Sequence, residues 1–464
     1  MNHKTINENQ FLNSALTEEN PLITTSKVME WLKNRNEAIN VEVTKIPFEQ
    51  LDHWFLDKTN GMLKHSSGKF FTIEGINVKT NWGAEKEWEQ PIINQPEIGY
   101  LGIITKEING ILYFLLQAKV EPGNVNNVQL SPTLQATKSN YTQVHQGNKP
   151  RYLEYFQNAT RDEIILDQLQ SEQGARFLKK RNRNIIIKID GDINVHEDFI
   201  WLTLGQIKKL IQKDNLVNMD TRTVISGISF EHSISLEQKL NDFELGMLQS
   251  ANDKNNSKYN FDDIIKWITD LKCKYELTLE SKSIFNIKNW HVTPYDIRHE
   301  ENKYFRVIAA QVAISNREVK TWSQPLVEPL QEGIIAFVVK KINGIYHFLV
   351  QAKLESGNFD IIEMAPTVQC ITGSYDNKSS LPFLDFVLNA KDEQIKFNTL
   401  QSEEGGRFYR EQNKSMIIEA DESFPYKIPE NYIWLTLNQI NYFLKFNNYL
   451  NIQARSLISA VKFI

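Results

Sequence analysis

Residues 169–177 read LQSEQGARF and residues 400–408 read LQSEEGGRF, one motif written twice at a separation of 231 positions. The match is too long and too polar to come from shared amphipathic patterning, so the chain holds two copies of one domain. Outward from the motif, copy one begins near Lys27 with an amphipathic helix around Trp31, and copy two begins near Asp262 with a similar helix around Trp267. Four segments follow: an N-terminal stretch 1–26, a first repeat 27–228, a linker 229–261 and a second repeat 262–464. Within the linker, residues 235–250 carry apolar side chains at helical spacing, whereas 251–260 (ANDKNNSKYN) has loop composition. Trp54 answers Trp290, Trp88 answers Trp322, and WLTLGQI from Trp201 answers WLTLNQI from Trp434. These aromatics read as core and interface anchors. The repetition also supplies an internal comparison: positions kept in both copies serve the scaffold, and positions that differ show which copy was specialised.

At 464 residues, 41% hydrophobic and 23% charged, the chain has the balance of a globular protein with a core for each repeat. A net charge of −5 provides no basic field for a polyanion, so no nucleic-acid partner is expected, and a small anionic ligand would have to be met by local donors. Cys273 and Cys370 are too few and too isolated for a disulfide framework or a thiolate zinc site. The first 25 residues lack the apolar stretch of a signal peptide and no later run approaches the length of a membrane span, so a cytoplasmic location without membrane contact is expected.

The middle of each copy reads as sheet. Two β-rich runs joined through Asn109-Gly110 predict a hairpin, and Asn343-Gly344 repeats it. A period of two then puts Gln117, Lys119 and Glu121 on one face, as it does Gln351, Lys353 and Glu355. In QLSPTLQAT, residues Gln129, Ser131, Thr133, Gln135 and Thr137 alternate with apolar ones, which predicts a neutral hydrogen-bonding face suited to hydroxyls or a base. Pro132 argues for an edge or bulged strand there. Copy two keeps Glu363, Thr367 and Gln369 but has Ala365 in place of Ser131.

Downstream the copies diverge further. Copy one supplies Tyr141, His145, Lys149, Arg151 and Tyr152, whereas copy two keeps Tyr375 without the His or Arg. Histidine titrates near neutral pH, which suits general acid–base work. Thr160-Arg-Asp-Glu163 forms a capping box that predicts a helix over IILDQLQSEQ with Gly174 as its C-terminal cap, ending in Glu172 and Arg176, matched by Glu403 and Arg407. Lys179, Lys180, Arg181 and Arg183 follow as a cluster suited to a diphosphate.

The line L-Q-S-E-[QE]-G-x-R-F resembles a degenerate Nudix box. Leu169, Glu172 and Gly174 fit, as do Leu400, Glu403 and Gly405, but Asp167 and Gln168 stand where Arg and Glu belong, Ser171 replaces a metal-binding Glu, and Asn398, Thr399 and Ser402 repeat those losses. The carboxylate cluster that holds magnesium in that family is therefore missing. The fold implied is α+β, with two tandem Nudix-like domains, each a mixed sheet flanked by helices, without the metal site. From about Lys27 to the C-terminus the chain resembles the NDP-hexose 2,3-dehydratases more specifically. That resemblance rests on QAKVEPGN at 117–124, QLSPTLQAT at 129–137, the segment from Asn140-Tyr141-Thr142 through His145 to Arg151-Tyr152, the two LQSE motifs and RNRN at 181–184.

The resemblance implies a lyase that removes water across C2 and C3 of dTDP-4-keto-6-deoxy-D-glucose, giving a dTDP-3,4-diketo-2,6-dideoxy sugar for deoxysugar biosynthesis. It also implies a homodimer and a downstream NADPH-dependent 3-ketoreductase as pathway partner. Such an elimination needs a base near C3, donors at the C4 oxygen and an acid for the C2 hydroxyl, and calls for no redox cofactor. No metal ligands are assigned. His145, Tyr141 and Glu121 are the candidates for acid and base, with Tyr152 in reserve. Gln129, Ser131, Thr133 and Gln135 are candidates for the sugar or ketone oxygen, and Arg151, Arg176, Arg181 and Arg183 for the diphosphate. Lys119, Asn124, Tyr152, Glu172 and Asn182 complete the first-copy set. Asn358, Glu363, Thr367, Gln369, Tyr375, Glu403 and Arg407 form a second pocket, so that two ligands per chain are expected. The adjacent carboxylates Glu403 and Glu404 leave open the reverse assignment of the active copy. A Nudix-type diphosphatase and a non-catalytic sugar-nucleotide binding protein are the alternatives.

Overall fold

The computed structural model describes residues 8–20, 22–138, 149–230, 240–317, 319–371, 381–425 and 427–462. Two seven-stranded sheets, one from each repeat, and two five-stranded sheets make an α+β architecture in two similar halves. The first large sheet runs in the order Ile164–Ser171, Arg181–Lys188, Gly99–Ile108, Ile111–Val120, Phe199–Thr203. The second runs Ile395–Ser402, Gln412–Glu419, Gly333–Ile342, Ile345–Leu354, Tyr432–Thr436. Both are mixed, since Arg181–Lys188 lies parallel to Gly99–Ile108 and Gln412–Glu419 parallel to Gly333–Ile342. Both expected hairpins form: Asn109 and Gly110 take φ of 52° and 81°, and Asn343 and Gly344 take 53° and 80°, the left-handed pair that a tight two-residue turn requires.

The helix expected over IILDQLQSEQ is a strand. Half of the expected cap forms: Thr160 backbone N–H and hydroxyl each donate to Glu163 at 2.8 Å, while Glu163 N–H donates to Thr160 C=O at 3.1 Å. Pairing wins over that signal: Ile164–Ser171 lies antiparallel to Arg181–Lys188, which sets Leu166 opposite Ile186 and Gln170 opposite Asn182. Isoleucines on a half-buried pleat gain more from cross-strand packing than from one helical turn. Gly174 falls in the turn that follows, where Phe177 N–H donates to Gln173 C=O at 2.8 Å. The segment compared with a Nudix box is therefore strand and turn in both repeats.

The small sheets are exchanged between the repeats. Val41–Ile46 of the first repeat pairs with Phe305–Ile314 of the second, and Leu277–Lys282 of the second pairs with Thr72–Thr80 of the first. Each small sheet is thus completed by the other repeat. The helices that precede these strands, Thr25–Ala38 and Phe261–Lys274, begin at Thr24 and Asn260, whose side chains accept from Lys27 and Asp263 N–H. Trp31 and Trp267 on them donate their indole N–H to Glu197 and Glu430 C=O.

The largest hydrophobic cluster runs through both halves, from Phe114 and Leu116 to Phe337 and Phe348. A second joins the two small sheets through Trp54, Phe71, Phe177, Trp290, Phe305 and Phe408. Two buried arginines cross-link the halves. Arg222 donates to Gln401 Oε1 and Ser402 C=O, while Arg455 donates to Thr223 Oγ1 at 2.8 Å and to Ser171 C=O. A buried guanidinium is tolerated only with such acceptors. In the linker, Asp242–Asn252 forms the helix that the spacing of 235–250 predicts in part, capped by Asn241.

Candidate functional site

The motif QAKVEPGN of one repeat docks on the LQSE turn of the other. Gly123 N–H donates to Gly405 C=O at 2.7 Å and Gly123 C=O accepts from Arg410 N–H at 2.7 Å. A Cβ on Gly123 would stand 1.6 Å from Phe408 O, so glycine is required by close backbone approach. Gly357 repeats the contact on Gly174, with 1.8 Å between a Cβ there and Phe177 O. The turn of the second repeat thereby carries Glu404 and Arg407 to the first repeat's Glu121. The turn of the first repeat carries Arg176 to the second repeat's Glu355.

At the first of these junctions lies a cavity of about 710 Å3, a size suited to a sugar nucleotide. The first large sheet supplies Lys119, Gln135 and Asn182 to its wall, Glu121 follows the end of Ile111–Val120, and the connection after Ile164–Ser171 supplies Glu172 and Lys180. Asp220 enters from the first turn of the helix Met219–Ser226. Glu404 and Arg407 enter from the second repeat, and aromatic surface comes from Trp54, His65, Phe71 and Trp322.

The polar wall is ordered by its own contacts. Glu121 accepts from Gln135 at 2.9 Å and has the Lys119 ammonium 3.8 Å away. Glu172 accepts from Asn182 at 2.7 Å; burial raises its pKa, and Arg455 and Lys180 oppose that. Burial, then Glu121, pushes the Glu404 carboxyl up to about 8 against the pull of Arg407. Asp220 is held well above the usual carboxylate range by burial, then by Glu404, Glu172 and Glu121. Arg407 stacks on Phe71 at 4.2 Å and donates from Nε to Gln95 at 3.1 Å. Burial depresses Lys180, Glu97 and Glu172 oppose that, and Arg407 adds a smaller downward push. Lys180 and Arg407 place two cations in the wall of one cavity, where charge-assisted bonds can meet an anionic group. Among the described residues no group of three or more His, Cys, Asp or Glu side chains is arranged to hold a metal ion.

A profile of the NDP-hexose 2,3-dehydratase family matches residues 25–228 and 261–461. The chain belongs to this family. It is an enzyme of the hydro-lyase class. The chain is 44% identical over 461 residues to a dTDP-4-dehydro-6-deoxy-alpha-D-glucopyranose 2,3-dehydratase of Saccharopolyspora spinosa, covering 98% of this chain and 95% of that one. It is 39% identical to proteins of the same name from Amycolatopsis orientalis, over 97% of this chain and 92% of that one, and from Streptomyces violaceoruber, over 93% and 96%.

Set against the cavity of this 2,3-dehydratase family member, the sequence-derived candidates divide. Lys119, Glu121, Gln135, Glu172 and Asn182 converge on it. Gln129, Ser131 and Thr133 do not: Gln129 bonds Asn126 and Ser402, Ser131 accepts from Asn218, and Thr133 ties Ile104 N–H to Leu115 C=O. The expected single face breaks because Val128–Ser131 pairs with one neighbour strand and Leu134–Ala136 with another. Asn124 stays in its turn, donating to Asn127 C=O at 2.6 Å. Tyr152 is buried with φ of 62°, its hydroxyl donating to Asn194 C=O at 2.8 Å, and Arg151 is exposed.

The basic cluster disperses as well. Arg181 covers Phe359 at 4.0 Å and Arg183 forms a two-pronged pair with Asp167, 2.7 Å on each prong, so only Lys180 reaches the cavity. Arg176 stacks on Phe305 at 4.1 Å, in the second half. His145, Tyr141 and Tyr375 lie outside the described residues.

Of the second-pocket candidates, Arg407 lines the first cavity. Gln369 donates to Glu355 at 2.9 Å, Glu403 accepts from Gln173 and Asn413, and Glu363 accepts from Ser171 at 2.7 Å. Thr367 repeats the structural bridge of Thr133, accepting from Val338 N–H and donating to Leu349 C=O, and Asn358 is packed against Gly174. Charge is cancelled within this set: Glu411 stands where Lys180 does in copy one, and Arg176 faces Glu411, Glu355 and Glu403. Asp220, Lys180, Arg407 and Trp54 were missed as members of one site. The internal comparison carried the signal for Asp220, since NMDTRTVIS at 218–226 answers NIQARSLIS at 451–459.

Proposed function

We propose that this chain removes water across C2 and C3 of dTDP-4-keto-6-deoxy-D-glucose in the cavity completed by Glu404 and Arg407, giving a dTDP-3,4-diketo-2,6-dideoxy sugar. The observation that carries the reading is that one cavity wall combines buried carboxyl groups, among them Glu404 pushed up to about 8 and Asp220 and Glu172 raised by burial, with ammonium, guanidinium and amide donors. The C4 ketone acidifies the C3 proton, so a carboxylate there can serve as base while donors such as Lys119 and Asn182 face the charge that develops on the ketone oxygen. Lys180 and Arg407 meet the diphosphate, where charge-assisted bonds are strongest. Trp54, His65, Phe71 and Trp322 offer apolar surface to the rest of the nucleotide. Glu121 remains a candidate for proton transfer from its place in the wall, and His145 and Tyr141 remain candidates from sequence. The diketo product calls for a reductase acting at C3, and a homodimer in the cytoplasm completes the proposal.

Incubation of the purified chain with dTDP-4-keto-6-deoxyglucose, followed by mass spectrometry, is expected to show loss of water. Release of dTMP would instead indicate a diphosphatase, and an unchanged sugar would indicate a binding protein.

A further inference from the structure

We infer that Asp220 and Glu404 are the proton-transferring pair of this cavity, Glu404 taking the C3 proton and Asp220 protonating the departing C2 hydroxyl. The inference rests on the dehydratase reading above.

Three observations lead to it. Asp220 is 2% exposed, lines the cavity, and its carboxyl accepts no hydrogen bond from any described residue. A buried carboxyl without a partner is costly, and one that opens onto a cavity is satisfied when a ligand fills it. Glu404 also lines the cavity, and among the described residues its carboxyl accepts only from Gly406 N–H of its own turn, at 2.9 Å. From the position a Cβ would take on Gly406, Glu404 Oε1 is 2.3 Å away and Glu121 Oε1 is 3.3 Å away. The carboxylates of Glu404 and Glu121 are therefore no farther apart than those distances together, so Glu404 shares the cavity wall closely with Glu121.

The third observation is the repeat. Glu121, Lys119, Gln135 and Glu172 recur in the second half as Glu355, Lys353, Gln369 and Glu403, but Asp220 is answered by Gln453 and Glu404 by Gln173. Two carboxyl groups at the first junction thus become two amides at the second. An amide holds a similar shape and transfers no proton. The duplication contains its own inactive control.

The chemistry balances on these two groups. Glu404 as carboxylate takes the proton from C3, and the electron pair passes into an enolate on the C4 oxygen. Return of that pair forms the C2–C3 double bond and breaks the C2–O bond, and Asp220 gives its proton to the leaving hydroxyl, which departs as water. Asp220, now ionised, accepts the proton of the C3 hydroxyl as the enol becomes a ketone, and Glu404 delivers its proton to C2. Both residues end as they began. Among the described residues, the charged groups acting on Glu404 include Glu121, Arg407, Glu172, Asp220 and Lys180, and those acting on Asp220 include Glu404, Glu172, Glu121 and Lys119.

The test uses the full chain with dTDP-4-keto-6-deoxyglucose in D2O, comparing wild type with Asp220→Asn and Glu404→Gln. Each variant is expected to lose at least about 100-fold in turnover while binding dTDP within about threefold of wild type. Glu404→Gln should also stop exchange of the C3 proton with solvent, whereas Asp220→Asn should retain that exchange and fail to lose water. Glu404→Asp, which restores a carboxyl, should recover part of the turnover. Turnover by both amide variants within about tenfold of wild type would overturn the assignment, as would undiminished C3 exchange in Glu404→Gln. Wild type that leaves the sugar intact would instead sink the dehydratase reading itself.

Discussion

Glu363 and Glu403 show what a carboxyl costs in this fold. Burial raises Glu363 to about 7, with Ser171 and Arg455 pulling it back. Burial, then Glu411, raises Glu403 to about 8, with Arg222 opposing. Both bind a proton more tightly in the folded chain than in the unfolded one, where the ordinary value is 4.5. Their contribution to stability is therefore complete below that value and is lost as pH rises through 7 to 8. Relative to a Glu363→Gln, Glu403→Gln double variant, wild type is expected to lose stability between about pH 5 and pH 7, on the order of 1 kcal/mol per group per pH unit. Chemical denaturation of both proteins across that range checks the sign; a wild type that gains stability over the variant would contradict it.

The same physics separates elements that sequence displays from those it hides. The Asn-Gly hairpins were legible because left-handed backbone at two successive positions excludes most other residues. The strand Ile164–Ser171 was not, because a capping-box sequence, of which only the Glu163 half forms, stands before it and its partner strand lies on the far side of a turn. The alternation of Gln129, Ser131, Thr133 and Gln135 misled for a related reason: a change of pairing partner at Pro132 ends the common face. The EPGN turn was visible as a motif, whereas its docking on the opposite repeat was not, because glycine records a close approach without naming what approaches. Gly123→Ala forces a methyl into Phe408 O, a backbone atom that cannot swing aside. We expect it to cost roughly 2–4 kcal/mol of stability in thermal or denaturant unfolding. An unchanged midpoint would show that the turns are not held together as described.

At the scale of the whole molecule, duplication and the family were legible because LQSE, QAK and WLTL recur intact, but exchange between the repeats left no periodic trace. Strand composition specifies a pleat and a buried face, and does not specify which of two near-identical sheets a strand joins. Arg176 and Arg407 consequently look equivalent in sequence, each assigned to its own copy, yet each serves the other. Asp220 was within reach of the repeat comparison and was missed because its neighbours in NMDTRT are structural. The two halves thus build two related junctions, of which the first has the cavity described above, with paired cations and carboxyl groups. Turnover of dTDP-4-keto-6-deoxyglucose, measured per folded chain for Arg407→Gln and Arg176→Gln, tests this directly. The account predicts a loss of about 100-fold or more for Arg407→Gln and near-normal turnover for Arg176→Gln. Loss of turnover in Arg176→Gln with Arg407→Gln spared would contradict it.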